Sequence, residues 1–289
     1  MFKTPPVTTR SHGREIDPFF IIGSGRSGTT LLRSILQRHP EIDIPPESHG
    51  AIPNSVKKFY RYGGLDWQDL VNVVLGEFLS DAHFGLWEID LSEARRRALT
   101  LEDREKSLAR IIDLIYREHM ETHKPDAVRW GDKSPFNTLR LEWVRKVFPS
   151  ARYVHIIRDG RDVVSSFLKS GLMDDINRAC RRWNMALDES ERHAKRSGTA
   201  VLTLYYEQLV KEPEEQVKRT CRFLDIDFVE TMLNEKEVYL GDEHLDHLKN
   251  VTNPITDKSI GKWKERLTEK QQEVVSQKLA SNLKKHKYI

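Results

Sequence analysis

The chain has 289 residues, 38% hydrophobic and 31% charged, with 47 Lys+Arg against 44 Asp+Glu and a formal net charge of +3. That is enough for one generous α/β domain, and the near balance of charge excludes a polybasic surface for nucleic acid or membrane. Two cysteines, Cys180 and Cys221, exclude a disulfide framework, and no run approaches the roughly 18 apolar residues of a membrane span.

Residues 1–17 carry Lys3, Pro5, Pro6, Arg10 and Arg14 without an apolar run. They are expected to form a flexible leader rather than a signal peptide, which points to a soluble, reducing, cytoplasmic setting. A first strand is predicted at Phe19–Ile22, followed by a glycine-rich loop and a helix with Leu31, Leu32, Ile35 and Leu36 on one face. Pro45-Pro46 forces an extended turn. From about 52 to 120 the pattern is helical. Trp67, Leu70, Val71, Val74, Leu75 and Phe78 recur at helical spacing, as do Leu108, Ile111, Ile112 and Ile115. The charged stretch 93–110 is expected to be a solvated helix face. A short strand is predicted at 127–130, a helix at 137–148, a strand at 153–157 and a helix from about Asp162. Trp183, Ala186 and Leu187 mark another helix. Strand Ala200–Tyr205 follows, and helices from Glu214 and Thr268 end the chain. Strands alternating with helices predict a mostly parallel central sheet covered on both faces, so the fold class is α/β, with a helical insertion at about 52–124 in one domain spanning 18–289.

Two motifs directly follow strands, where such sheets bind ligands. In Gly23-Ser-Gly-Arg-Ser-Gly28-Thr-Thr30 the spacing is that of a nucleotide P-loop, yet Thr29 stands where its lysine belongs and Arg26 is the only basic side chain. The backbone amides of Ser27 to Thr30 would face an anion at the helix N-terminus, with the Thr29 and Thr30 hydroxyls beside them. Glycines at 23, 25 and 28 allow close backbone approach. The second motif is Arg158-Asp-Gly-Arg161 with Ser166 eight residues past Arg158, which can grip a second phosphate. Taken alone, it reads equally well as a surface ion-pair cluster of Arg158, Asp159, Arg161 and Asp162.

Together, in this order, the two motifs resemble the sulfotransferases that use 3′-phosphoadenosine 5′-phosphosulfate (PAPS). The resemblance runs in pieces from Phe19 to about Trp263, and its text is most similar to the tyrosylprotein and carbohydrate branch. It implies that Gly25, Arg26, Ser27, Gly28, Thr29 and Thr30 hold the 5′-phosphosulfate, and that Arg158 and Ser166 hold the 3′-phosphate. His39-Pro40 followed by Pro46-Glu47-Ser48 matches the segment carrying an acidic general base, which puts Glu47 in that role. Lys133, in Asp132-Lys-Ser-Pro135, matches a lysine that steadies the transferring group. Tyr206, in Tyr206-Glu-Gln-Leu209, and Lys262, in Gly261-Lys-Trp263, match elements near the cofactor. The catalytic set implied is Glu47, Arg26 and Lys133, with no metal. Glu47 would take the acceptor proton if burial makes it basic enough, and Arg26 and Lys133 would stabilise the sulfuryl oxygens.

His49, two residues past Glu47, is the alternative base, and Trp87 and Tyr60 are candidates to line an acceptor pocket. The hydroxyl-bearing acceptor stays open between glycan, lipid, peptide tyrosine and natural product, and a homodimer stays open too. A P-loop nucleoside or small-molecule kinase would need the loop lysine and magnesium ligands. A non-catalytic nucleotide-binding protein would not need Arg26, Glu47, Lys133 and Arg158 together.

Overall fold

The computed structural model describes residues 5–8, 16–196, 198–233, 240–241 and 255–289. Strand β1 (Phe19–Ile22) is buried throughout and turns into helix α1 (Thr29–Gln37). The two-residue strand β2 (Ile42–Asp43) leads to the helical insertion: α2 (Ala51–Arg61), α3 (Trp67–Leu79), α4 (Ser92–Leu99) and α5 (Leu108–His123). Then come β3 (Arg129–Asp132), α6 (Pro135–Thr138), α7 (Leu141–Val147), β4 (Arg152–Ile157), α8 (Gly160–Lys169) and α9 (Ile176–Ala194). The last strand, β5 (Ala200–Tyr205), is followed by α10 (Tyr206–Lys211), α11 (Pro213–Leu224), α12 (Trp263–Arg266) and α13 (Glu269–Lys285).

The strands form one parallel sheet in the order β2-β3-β1-β4-β5. Side-chain alternation along β1 divides the core. Phe20 and Ile22 pack with the helical insertion, while Phe19 and Ile21 pack with α1 and the helices after β5. A third cluster joins α8, α9 and α13 around Trp183. Each face is therefore covered, as a parallel sheet requires.

Several elements differ from their predicted form. The stretch 93–110 is two helices, not one: α4 ends at Leu99, and α5 starts after Ser107, whose hydroxyl accepts from Arg110 N at 3.1 Å. Strand β3 begins two residues late and runs through Gly131, where a Cβ would lie 2.4 Å from the Phe19 ring. The helix predicted at 137–148 is broken between α6 and α7 at Arg140, whose φ of −142° is not helical. Trp87 is core, 1% exposed among Phe78, Phe84 and Tyr116, rather than pocket lining. Of the leader, 1–4 and 9–15 lie outside the described residues. Pro6 and Val7 are bound by their carbonyls to the amides of Leu108 and Ala109, at 3.1 and 2.9 Å. Cys180 and Cys221 are buried free thiols.

Two of the buried histidines that the site does not use, His155 and His193, lie far below the ordinary imidazole range. Burial pushes His155, on β4, down to about 3, and His193, whose ring meets Tyr153 edge-on, down to about 4. Both stay neutral in the folded chain while the unfolded chain protonates near 6.5. Below that pH the unfolded state binds more protons, so stability falls as pH drops from about 6.5 toward 4, by up to about 1.4 kcal/mol per pH unit for His155 alone. Above 6.5 neither residue contributes a slope. Urea midpoints across pH 4–8 test this; an unchanged low-pH slope in a His155→Gln, His193→Gln variant would refute it.

Candidate functional site

The loop between β1 and α1 is shaped by close packing. Gly28 has a φ of +95°, and a Cβ there would sit 2.5 Å from the Tyr206 ring; Gly23, at φ +153°, would meet the Ile156 carbonyl at 2.6 Å. Arg26 itself adopts φ +69°, unusual for a residue with a side chain. Its turn lets Ser27 N donate to Ser24 O at 3.2 Å and brings the first turn of α1 to the end of β1. The amides of that turn have no partners within the helix.

The end of β4 comes to the same place. Arg26 Nε donates to Ser166 Oγ at 3.1 Å, and Arg158 Nη1 donates to the Arg26 carbonyl at 3.1 Å. The Arg158 guanidinium lies 4.5 Å from the Tyr206 ring centroid and donates through Nη2 to Ser259 O at 2.6 Å. Burial, then the Arg158 charge, pulls the Arg26 guanidinium below its ordinary value, with Glu47 pulling the other way. Two cations have thus been gathered in a half-dry place.

The charged loop is accordingly not a surface cluster. Arg161 and Asp159 do pair at 2.7 Å, but Arg158 and Asp162 turn inward. Asp162 accepts from the amides of Gly261 at 2.7 Å and Trp263 at 2.9 Å, fixing the late segment beside β4. Gly160 is required by packing, since a Cβ would lie 2.8 Å from Trp183, whose Nε1 donates to Arg158 O at 3.1 Å.

On the other side of the loop, Lys133 Nζ donates to Glu47 Oε1 and, at 3.3 Å, to Thr30 Oγ1. The lysine side chain is fully buried, while Glu47 is 22% exposed. Glu47 therefore faces an ammonium rather than an apolar wall. Below them Asp132 accepts from Tyr116 OH at 2.7 Å, Asn137 Nδ2 at 2.7 Å and Ser134 Oγ at 3.1 Å. Burial pushes the Asp132 carboxyl up, and these donors and Lys133 pull it back.

Glu47, Lys133, Thr30, Arg26, Ser166, Arg158 and Tyr206 are thus linked around the loop that holds Gly25, Ser27, Gly28 and Thr29. Lys262 pairs with Glu265, its ammonium 3.0 Å from the carboxylate. His49 is exposed, its ring 3.8 Å from that of His83 and its amide on Asp81 at 2.6 Å. Tyr60 is 54% exposed beside Trp143. The sequence did not reveal Asp162, Trp183, Tyr116, Ser48 or Ser134. Of these, Asp162, Ser48 and Ser134 carry a local signal, as neighbours of the Arg158, Glu47 and Lys133 motifs.

Two buried donors, Ser27 Oγ and Arg158 Nε, have no hydrogen-bond partner among the described residues. An orphaned hydroxyl in the loop and an orphaned guanidinium N–H at the end of β4 fit an anionic ligand reaching both. Among the described residues no group of three or more His, Cys, Asp or Glu could hold a metal ion.

Residues 18–230 match the sequence profile of the Sulfotransferase family. The chain is 27% identical over 264 residues to protein-tyrosine sulfotransferase A of Caenorhabditis elegans, covering 85% of this chain and 61% of that protein. It is 24% identical over 266 residues to protein-tyrosine sulfotransferase 1 of Danio rerio, covering 87% of this chain and 67% of that protein. The chain thus spans only about three-fifths of the C. elegans relative. Among solved structures it resembles the sulfotransferase domain of the Synechococcus PCC 7002 olefin synthase, with TM-score 0.60 and 22% identity over 94% of this chain and 98% of that one. The similarity to protein-tyrosine sulfotransferases contradicts the expected cytoplasmic setting. Among the described residues no helix is long and apolar enough to cross a membrane.

Proposed function

The chain belongs to the sulfotransferase family, and from that premise we propose that it transfers a sulfuryl group from PAPS to an acceptor hydroxyl, with Glu47 as general base. The observation that carries the reading is the chain of contacts Glu47–Lys133–Thr30, which joins a carboxylate to the phosphate-type loop through a buried ammonium. Bound PAPS would supply the activated sulfuryl group.

The residues of the chain do the rest. The loop amides, Ser27 and Arg26 bind the phosphosulfate end, and Arg158, Ser166 and Tyr206 bind the other phosphate and hold the nucleotide in register. Glu47, held by Lys133, accepts the acceptor's proton as the hydroxyl oxygen attacks. Arg26 and Lys133 then face the charge that develops on the sulfuryl and leaving oxygens, already fixed in place. Protein fixed cations can serve here without a divalent ion, so transfer is expected to persist in chelator.

The similarity to protein-tyrosine sulfotransferases makes a tyrosyl hydroxyl in a peptide the acceptor of choice. The test is transfer of ³⁵S from labelled PAPS to a tyrosine-containing peptide panel in EDTA, with glycan and lipid hydroxyls alongside. Labelled peptide is the expected product. Binding of adenosine 3′,5′-bisphosphate without transfer to any acceptor would leave a nucleotide-binding protein, and a requirement for ATP and magnesium would leave a kinase.

A further inference from the structure

We infer that Asp132 and Ser134 are positioning residues, which hold Glu47 through a directed hydrogen-bond relay ending on the backbone N–H of Ser48. The inference rests on Glu47 being the base. Asp132 ends β3, buried at 3% exposure, and three donors converge on it: Tyr116 and Ser134 on Oδ2, Asn137 on Oδ1. A carboxylate accepts only, and a serine hydroxyl has a single proton to give. With that proton committed to Asp132, Ser134 Oγ presents lone pairs to the 45–50 segment. There it accepts from Ser48 N at 3.0 Å, with Ser48 Oγ 3.3 Å away. The charge of Asp132 sets the direction of the relay, and the relay fixes the peptide that follows Glu47.

An independent observation is what Ser134 does not do. It occupies the N-cap of α6 with Pro135 after it, an arrangement in which serine ordinarily caps its own helix. Its side chain makes no cap bond. The hydroxyl is turned instead to a residue 86 positions away. Lys133, between the two relay residues, reaches the Glu47 carboxylate. At the near end of the segment, fully buried Arg33 holds the Ile44 carbonyl with Nε at 3.2 Å and Nη2 at 3.1 Å. Glu47 is thus gripped by its carboxylate, by the peptide after it and, through the Ile44 carbonyl, by the segment before it.

The test compares Ser134→Ala with Tyr116→Phe. Each removes one hydroxyl donor from Asp132, but only Ser134 continues to Ser48. Ser134→Ala is expected to lower kcat on the order of 30-fold, the penalty of a base displaced by a fraction of an ångström. Affinity for adenosine 3′,5′-bisphosphate should stay within about twofold in both variants, and Tyr116→Phe should keep kcat within about threefold, even where both lower Tm. The isosteric pair Ser134→Thr and Ser134→Val asks the same question at constant volume: the threonine keeps kcat and the valine loses it. Equal kcat losses in Ser134→Ala and Tyr116→Phe, or in the threonine and valine variants, would mean general loosening and overturn the proposal. Parental kcat in Ser134→Ala beside an inactive Glu47→Gln overturns the positioning alone. Full activity in Glu47→Gln overturns the base assignment and the relay's role with it.

Discussion

Glu47→Gln is expected to lower sulfuryl transfer on the order of 10³-fold while leaving affinity for adenosine 3′,5′-bisphosphate within about twofold of the parent. The amide has the volume of the acid and still offers Lys133 an acceptor oxygen, so the contact between them survives in weaker form. What it cannot do is take a proton. Among the described hydrogen bonds Glu47 reaches the loop through Lys133, which also donates to Thr30, so the contacts of Arg26 with Ser166 and of Arg158 with the Arg26 carbonyl should persist. Labelled-sulfate transfer gives kcat and calorimetry gives the nucleotide affinity. A tenfold or greater loss of affinity would make Glu47 a structural member of the nucleotide site. A kcat near that of the parent would return attention to His49, whose imidazole is pulled below its ordinary value by burial and then by His83.

The parts of this site that the sequence revealed are those whose chemistry is contiguous. Gly23 to Thr30 is one turn between a strand and a helix, and Arg158 and Ser166 lie on one strand-to-helix connection. Spacing along the chain is therefore spacing in the site. Ser134 and Ser48, or Asp162 and the amides of Gly261 and Trp263, meet only because the sheet brings distant loops to one end. Nothing local in either partner announces that meeting. The same holds for the strands. Residues 200–205 carry β-forming residues in sequence and are found as predicted. Strand β3 includes Gly131 and Asp132, which propensity disfavours; the Phe19 ring excludes a side chain at one and buried donors hold the other. Two-residue β2 is too short to leave any period, and is defined only by its register, Ile42 opposite Arg129.

Lys133→Met is expected to lower kcat on the order of 10²-fold or more in the parent, and to have little further effect in a Glu47→Gln background. Methionine fills the space of the fully buried lysine stem, so the fold should tolerate the change. The ammonium is the only link between the Glu47 carboxylate and the loop hydroxyl of Thr30 among the described hydrogen bonds. Without it the carboxylate is free to swing, and the developing charge loses a fixed cation. Base and cation thus work as one unit, and units of this kind show strong non-additivity in double-mutant cycles. If kcat for the double variant falls no more than about threefold below that of Glu47→Gln, the pair acts together, as the bridge implies. If the two losses instead multiply to 10⁵-fold or so, Lys133 acts on the sulfuryl oxygens independently of the base. Nucleotide affinity measured in parallel separates either result from a disturbed loop: Arg26, Ser166 and Arg158 make none of their observed contacts to Lys133, and should hold the nucleotide in all three variants.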